Sequence, residues 1–136
     1  MTFRDDEGRE WTLRVTVGSL RRCVGGMLDL VQGEPPPLAR YQLDPLAACD
    51  AIASMLGPEL AARGVTRDSF LESLGGDAAA AAQAALLREL TDFFQRCHPL
   101  VAQAAAQISR EVGKGTTEAI AAISGESSTT PPASSA

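Results

Sequence analysis

The stretch between Gly75 and Pro99 constrains this chain more than any other. The glycine pair Gly75-Gly76 is followed by Asp77, a helix-capping residue, and then by a run without glycine or proline up to Pro99. That run is built from Ala, Leu, Glu, Gln and Arg, the strongest helix formers. The spacing predicts a helix from about Ala78 to Arg96, capped by Asp77. Its first half is nearly all alanine, interrupted by Gln83. Its second half places Leu86, Leu87, Leu90, Phe93 and Phe94 on one stripe. A helix with one apolar stripe has to be covered, so the rest of the chain has to supply covering elements.

Upstream, helix signals alternate with breakers. Asp44-Pro45 predicts a helix start with an N-cap carboxylate and proline at the first helical position. Leu46, Cys49, Ile52, Ala53 and Leu56 fall on one face of that helix. Gly57-Pro58 predicts a break, and Glu59 to Arg63 a further turn or two ended by Gly64. Thr66 to Ser69 opens a short helix through about Leu74, with Val65, Phe70, Leu71 and Leu74 on its apolar side. After Pro99, Leu100 to about Val112 predicts a helix with Val101, Ala104, Ala105 and Ile108 on one side.

The N-terminus has a different period. Glu10 to Val17 alternates, with Trp11, Leu13, Val15 and Val17 on one side and Thr12, Arg14 and Thr16 on the other, as a half-buried strand does. With Phe3 before it and the turn residues Asp6-Glu7-Gly8 between, it predicts a β-hairpin over about residues 1–17. Ser19 is placed to cap a short helix to about Val24. Met27 to Val31 is an apolar run of undecided type, and Gln32 to Pro37, with three consecutive prolines, predicts a loop. The expected fold is mainly α: the hairpin packed on a bundle of four to six short helices, one domain over 1–112. Residues 113–136 are expected to form a flexible, largely disordered tail. Its Ser/Thr/Pro/Ala end carries no core former, and a weak helix over Thr116 to Ile123 is its one expected element.

Composition narrows function. The chain carries a net charge of −5, which argues against nucleic-acid binding, and no run approaches a membrane span. Its 45% apolar content is dominated by Ala and Leu, with four Phe, one Trp and one Tyr. Such a core is thin and favours a chain stabilised by partners. Cys23, Cys49 and Cys97 are odd in number and widely spaced, as fits a reducing compartment rather than a disulfide framework.

No constellation for chemistry emerges. The one histidine, His98, adjoins Cys97, but neighbours on a helix point about 100° apart and no further ligands converge. Cys23 and Cys49 sit among apolar residues, where a buried inert thiol is the ordinary reading. Asp5-Asp6-Glu7 is the densest acidic group and is expected to be a solvated turn, and Glu89 and Asp92 to face solvent. Gly113-Lys114-Gly115-Thr116-Thr117 lacks the upstream glycine and the Lys-Ser/Thr pair of a phosphate loop. The expectation is a non-enzyme with no metal and no cofactor. The Leu86 to Phe94 stripe serves either as core or as a partner-binding face, with Leu86, Leu90, Phe93 and Phe94 as the candidate contacts.

The order of motifs resembles the tail assembly chaperone-like proteins of long-tailed bacteriophages and prophages. Phe3-Arg4-Asp5 through Gly8-Arg9-Glu10-Trp11-Thr12-Leu13 is similar to that family's opening hairpin. Val17 to Leu30, ending Leu28-Asp29-Leu30, resembles the segment that follows. Asp44-Pro45-Leu46 resembles its helix start, and Gly64-Val65-Thr66 through Phe70 its next one. Gly76-Asp77-Ala78 and Ala85-Leu86-Leu87-Arg88-Glu89-Leu90-Thr91-Asp92-Phe93-Phe94 resemble its long helix. The resemblance spans roughly 3–110; the Pro35-Pro36-Pro37 loop and the Ser/Thr/Pro tail depart from it. It implies binding to the tape-measure protein, recruitment of tail-tube subunits, and residence in the host bacterial cytoplasm, with self-association left open. A structural virion component, such as a tail connector or completion protein, is the alternative, and a small enzyme of unknown type a third reading.

Overall fold

The computed structural model describes residues 1–26 and 28–114. Two short antiparallel strands, Thr2–Arg4 (β1) and Glu10–Thr12 (β2), are followed by Val17–Arg21 (α1) and a 3-10 turn, Leu28–Leu30. Then come Pro37–Leu43 (α2), Pro45–Met55 (α3), Gly57–Ala62 (α4), Arg67–Glu72 (α5) and Gly76–Cys97 (α6). A last helix, α7, covers 99–114. The fold is mainly α with an N-terminal hairpin. Met27 and the expected tail from 115 onward, including Thr116 to Ile123, lie outside the described residues.

The hairpin pairs Phe3 with Trp11, and both point inward. Trp11 meets the Phe70 ring of α5 edge-on, centroids 5.3 Å apart, and Phe3 meets the same ring at 6.3 Å. Each such pair contributes about 0.5–1.5 kcal/mol beyond area burial. The Arg63 guanidinium covers the other side of Trp11, 4.3 Å from the ring centre. Gly8 turns the chain at φ +79°, a conformation glycine adopts without penalty.

The turn itself differs from the expectation of a solvated acidic loop. Asp6 and Glu7 are exposed, but Asp5 is buried, and its side chain organises the turn. Its Oδ1 accepts from the backbone N–H groups of Glu7 (3.0 Å) and Arg9 (2.9 Å). Its Oδ2 accepts from Arg9 Nε (2.7 Å) and Trp11 Nε1 (3.0 Å); Ser73 Oγ lies 3.3 Å away but donates its one proton to Phe70 O at 2.6 Å. Burial alone would raise its pKa. The Trp11 and Arg9 hydrogen bonds and the Arg9 charge outweigh that and hold the carboxyl at about 2, against an ordinary 3.8. Asp6 fastens the turn to the α5–α6 junction: its N–H donates to Ser73 O (2.7 Å) and its Oδ2 accepts from Gly75 N (2.8 Å). Glu89 is also less exposed than expected and pairs with the Met1 amino group at 2.6 Å. Asp92 pairs with Arg96.

Other boundaries shifted for local reasons. The alternation after Trp11 holds for Leu13, which is buried, and weakens at Val15. It fails at Val17, which is 65% exposed. Thr16 and Ser19 form a capping box there, so Val17 opens α1 instead of extending the strand, and Thr16, not Ser19, is the N-cap. The loop expected through Pro37 ends one residue earlier, because Pro37 occupies the first position of α2, where its missing N–H costs nothing. Asp44 caps α3 as expected, accepting from Leu46 N. Cys49, Ile52, Ala53 and Leu56 are buried, but Leu46 is 77% exposed with Leu43 at the α2–α3 corner. Gly75, not Asp77, is the N-cap of α6; Asp77 sits in its first turn, suited to the positive helix end. Helix α7 runs through 113 and 114, past the expected end at Val112.

Helix α3 lies centrally against α6, α2, α5 and α1. Ala78, Ala82, Ala85, Leu86, Leu90 and Phe94 form the buried stripe of α6. Gln83, the polar break in its alanine run, donates to the carbonyls of Tyr41 (2.7 Å) and Gln42 (3.2 Å) at the C-terminus of α2. It thereby satisfies two of the carbonyls that a helix end leaves open.

Two expected outcomes follow from the hairpin. Asp5 gives up its proton more readily folded than unfolded. It therefore contributes about 2 kcal/mol that is fully present above its unfolded value of 3.8 and is lost as pH falls towards 2. Denaturant unfolding of Asp5→Asn is expected to cost about 2–3 kcal/mol at neutral pH, and the gap to wild type should narrow as pH falls towards about 2. A gap that stays constant with pH excludes this role for the carboxylate. At Gly75 an added Cβ would collide with the Asp6 carboxylate. Gly75→Ala and Asp6→Ala are each expected to lose about 1 kcal/mol, and the double variant no more than either alone. Full additivity would show that the two residues do not act through one bond.

Candidate functional site

A groove of about 620 Å³ is bounded by α2, α6 and α7. Its origin is visible in residue size. Helix α7 turns Val101, Ala105 and Ile108 towards the core, and presents Ala102, Ala106 and Ser109 beside them. Side chains this short cannot fill the space between packed helices, and the gap stays open. From α6 the groove receives Leu87, Thr91 and Gln95, at spacing i, i+4, i+8, with buried Phe94 as its floor. From α2 it receives Leu38 and Gln42, and Gln42 Nε2 donates to Ser109 Oγ across its width at 2.9 Å. The walls are mostly apolar and the rim carries Gln95 and Arg110.

The four residues expected to meet a partner are placed differently from one another. Leu86 and Leu90 are wholly buried in the core, and Phe94 is 1% exposed at the groove floor. Phe93 is half-buried, edge-on to Phe94, and lines a separate depression with Val15 and Cys97. Of the residues that form the accessible walls, Leu87 belongs to the expected stripe without being one of its candidate contacts, and Thr91, Ala102 and Ala106 are not legible as a surface from the sequence. Their signal was a second i, i+4 row, one position beyond the core row of α6, facing an all-small row on α7.

His98 ends α6 and caps α7. Its carbonyl accepts from Ala102 N (2.9 Å), and its Nδ1 accepts from Val101 N at 3.3 Å. Cys23 donates to Ala51 O at 3.4 Å, Cys49 is buried and Cys97 is exposed. Burial pushes the Cys23 thiol up against the opposing pull of Arg22 and Arg67, and pushes Cys49 up as well. Both therefore hold their protons more tightly than an ordinary thiol and are poor nucleophiles. Among the described residues no group of three or more His, Cys, Asp or Glu is arranged to hold a metal ion. No described helix is long and apolar enough to cross a membrane.

No protein-family model, curated protein or solved structure matches this chain.

The groove depends on α2 keeping its place, and α2 depends on Gln83. Gln83→Ala is expected to lower unfolding free energy by about 1–2 kcal/mol by leaving the Tyr41 and Gln42 carbonyls without that donor. Hydrogen exchange should show the loss concentrated in α2 and α7; a uniform loss across the fold would contradict it.

Proposed function

We propose that this chain is a binding protein of the phage tail assembly chaperone type, holding an apolar helical segment of the tape-measure protein in the α2–α6–α7 groove. The observation that carries the reading is the groove: an apolar trough walled by helices, with a polar rim. A tape-measure helix exposes long apolar stripes until the tail tube covers it. Helix-in-groove recognition suits such a stripe, because i, i+3 and i+4 anchors enter a trough while the rim bonds to flanking polar groups. The ordered motifs from Phe3 to Phe94 support the same reading, since they resemble that family's hairpin and long helix. Recruitment of tail-tube subunits and a cytoplasmic site of action in the host belong to this proposal.

Ala106→Glu places a charge on the groove wall at an exposed position, so the core is left intact. Co-purification of the full chain with a tape-measure protein and a tail-tube protein is the direct test. Ala106→Glu is expected to weaken tape-measure binding at least about tenfold with an unchanged melting temperature. Failure of the wild type to retain either protein would exclude the chaperone reading. Recovery of the chain in purified particles by mass spectrometry would favour a structural virion component.

A further inference from the structure

A second depression, of about 340 Å³, opens on another face of α2, and its lining is basic in a chain whose net charge is −5. Three arginines reach it from three places: Arg22 just after α1, Arg40 on α2 and Arg67 at the start of α5. Two of them are held in position from behind. Arg22 Nη1 donates to Met55 O at 2.6 Å, and Arg67 donates to Ser54 Oγ (3.0 Å) and Asp50 O (3.1 Å). The Arg40 side chain makes no hydrogen bond or ion pair among the described residues, so all its guanidinium donors are open. One carboxylate, Asp50, lies in the depression, 3.4 Å from Arg67.

Tyr41 supplies a second, independent observation. It lines the same depression, is only 9% exposed, and its hydroxyl has no hydrogen-bond partner among the described residues. The ring is buried, while the hydroxyl oxygen reaches solvent and is free to donate. Its ionisation is pushed up by burial and by Cys23, against the pull of Arg40, so the group remains an O–H donor and its neighbours are residues of this depression.

We propose that this depression binds a phosphate group, held by Arg22, Arg40 and Arg67 and by a hydrogen bond donated from Tyr41. Charge and donor number favour phosphate over carboxylate. Three guanidinium groups against one carboxylate leave two positive charges, which match a phosphate monoester of roughly −1.5 to −2 at neutral pH. Several open guanidinium N–H groups and a phenol exceed what the two oxygens of a carboxylate accept, whereas a phosphate monoester offers three strong acceptors. The phosphate can come from a small nucleotide or from a phosphorylated side chain. The inference stands apart from the groove and from its occupant.

The test is calorimetric titration of the full chain at low ionic strength with inorganic phosphate, AMP and a phosphoserine peptide. Saturable binding of inorganic phosphate is expected. Arg40→Ala, an exposed side chain without partners, should weaken it about tenfold, the loss of one charge-assisted contact. Tyr41→Phe keeps the ring and should weaken it severalfold with an unchanged circular dichroism spectrum. Tighter binding of AMP supports a nucleotide source, tighter binding of the peptide a phosphoprotein source, and equal binding of all three a site for phosphate itself. Absence of saturable phosphate binding, or binding that both variants retain in full, would overturn the proposal.

Discussion

The fold depends on one buried carboxylate. Strands of three residues do not hold together by themselves. Asp5 makes this hairpin a fixed body by collecting four donors: two from the turn backbone and two from the Arg9 and Trp11 side chains. A buried charge is tolerated only when so satisfied. The bond from Asp6 N–H to Ser73 O makes the arrangement tertiary. It brings the Trp11 ring against Phe70, and with Asp6 on Gly75 it fixes where α5 stops and α6 starts. The direction of the longest helix is thus set from the N-terminal turn.

Packing quality then differs between the two ends of α6. Its first half is alanine, which lets α3 and α2 approach closely but buries little area per residue. Its second half brings Leu86, Leu90 and Phe94, which fill the core beneath the hairpin. Helix α7 returns along this surface with small side chains at 102, 105, 106 and 109, and there the interior stops short of filling its space. The groove is the direct consequence of an alanine-rich composition. The hydrophobic stripe was spent on internal packing, and the accessible apolar surface lies one row over.

Much of the fold was legible because it rests on local signals. Asp44-Pro45, Gly57-Pro58, Thr66 and the Gly75-Gly76 pair mark helix ends by capping and backbone chemistry within a few residues. What was missed needed long-range information. Nothing local distinguishes Asp5 from Asp6 or Glu7; the difference is the Arg9 and Trp11 side chains, which the folded hairpin aims at Asp5 alone. Helix α2 was hidden behind three prolines because its order comes partly from Gln83, far along the chain. Leu46 and Val17 were misplaced because periodicity identifies a face but not where the covering element ends. The groove was illegible for the same reason, since it is a space between three elements and belongs to none of them. Arg22, Arg40 and Arg67 lie far apart along the chain, and only the fold brings them together.

Helix α2 carries more of the functional surface than its length implies. Leu38 and Gln42 face the apolar groove, while Arg40 and Tyr41 face the basic depression. A helix of seven residues is far too short to be stable alone, so its position is determined by what grips it. Leu38, Ala39 and Tyr41 are buried beneath it, Gln83 holds its last carbonyls, and Gln42 reaches to Ser109 on α7. Two of those anchors lie on the groove side, on α6 and α7. The apolar groove and the basic depression thus share one short element that is held in place from outside.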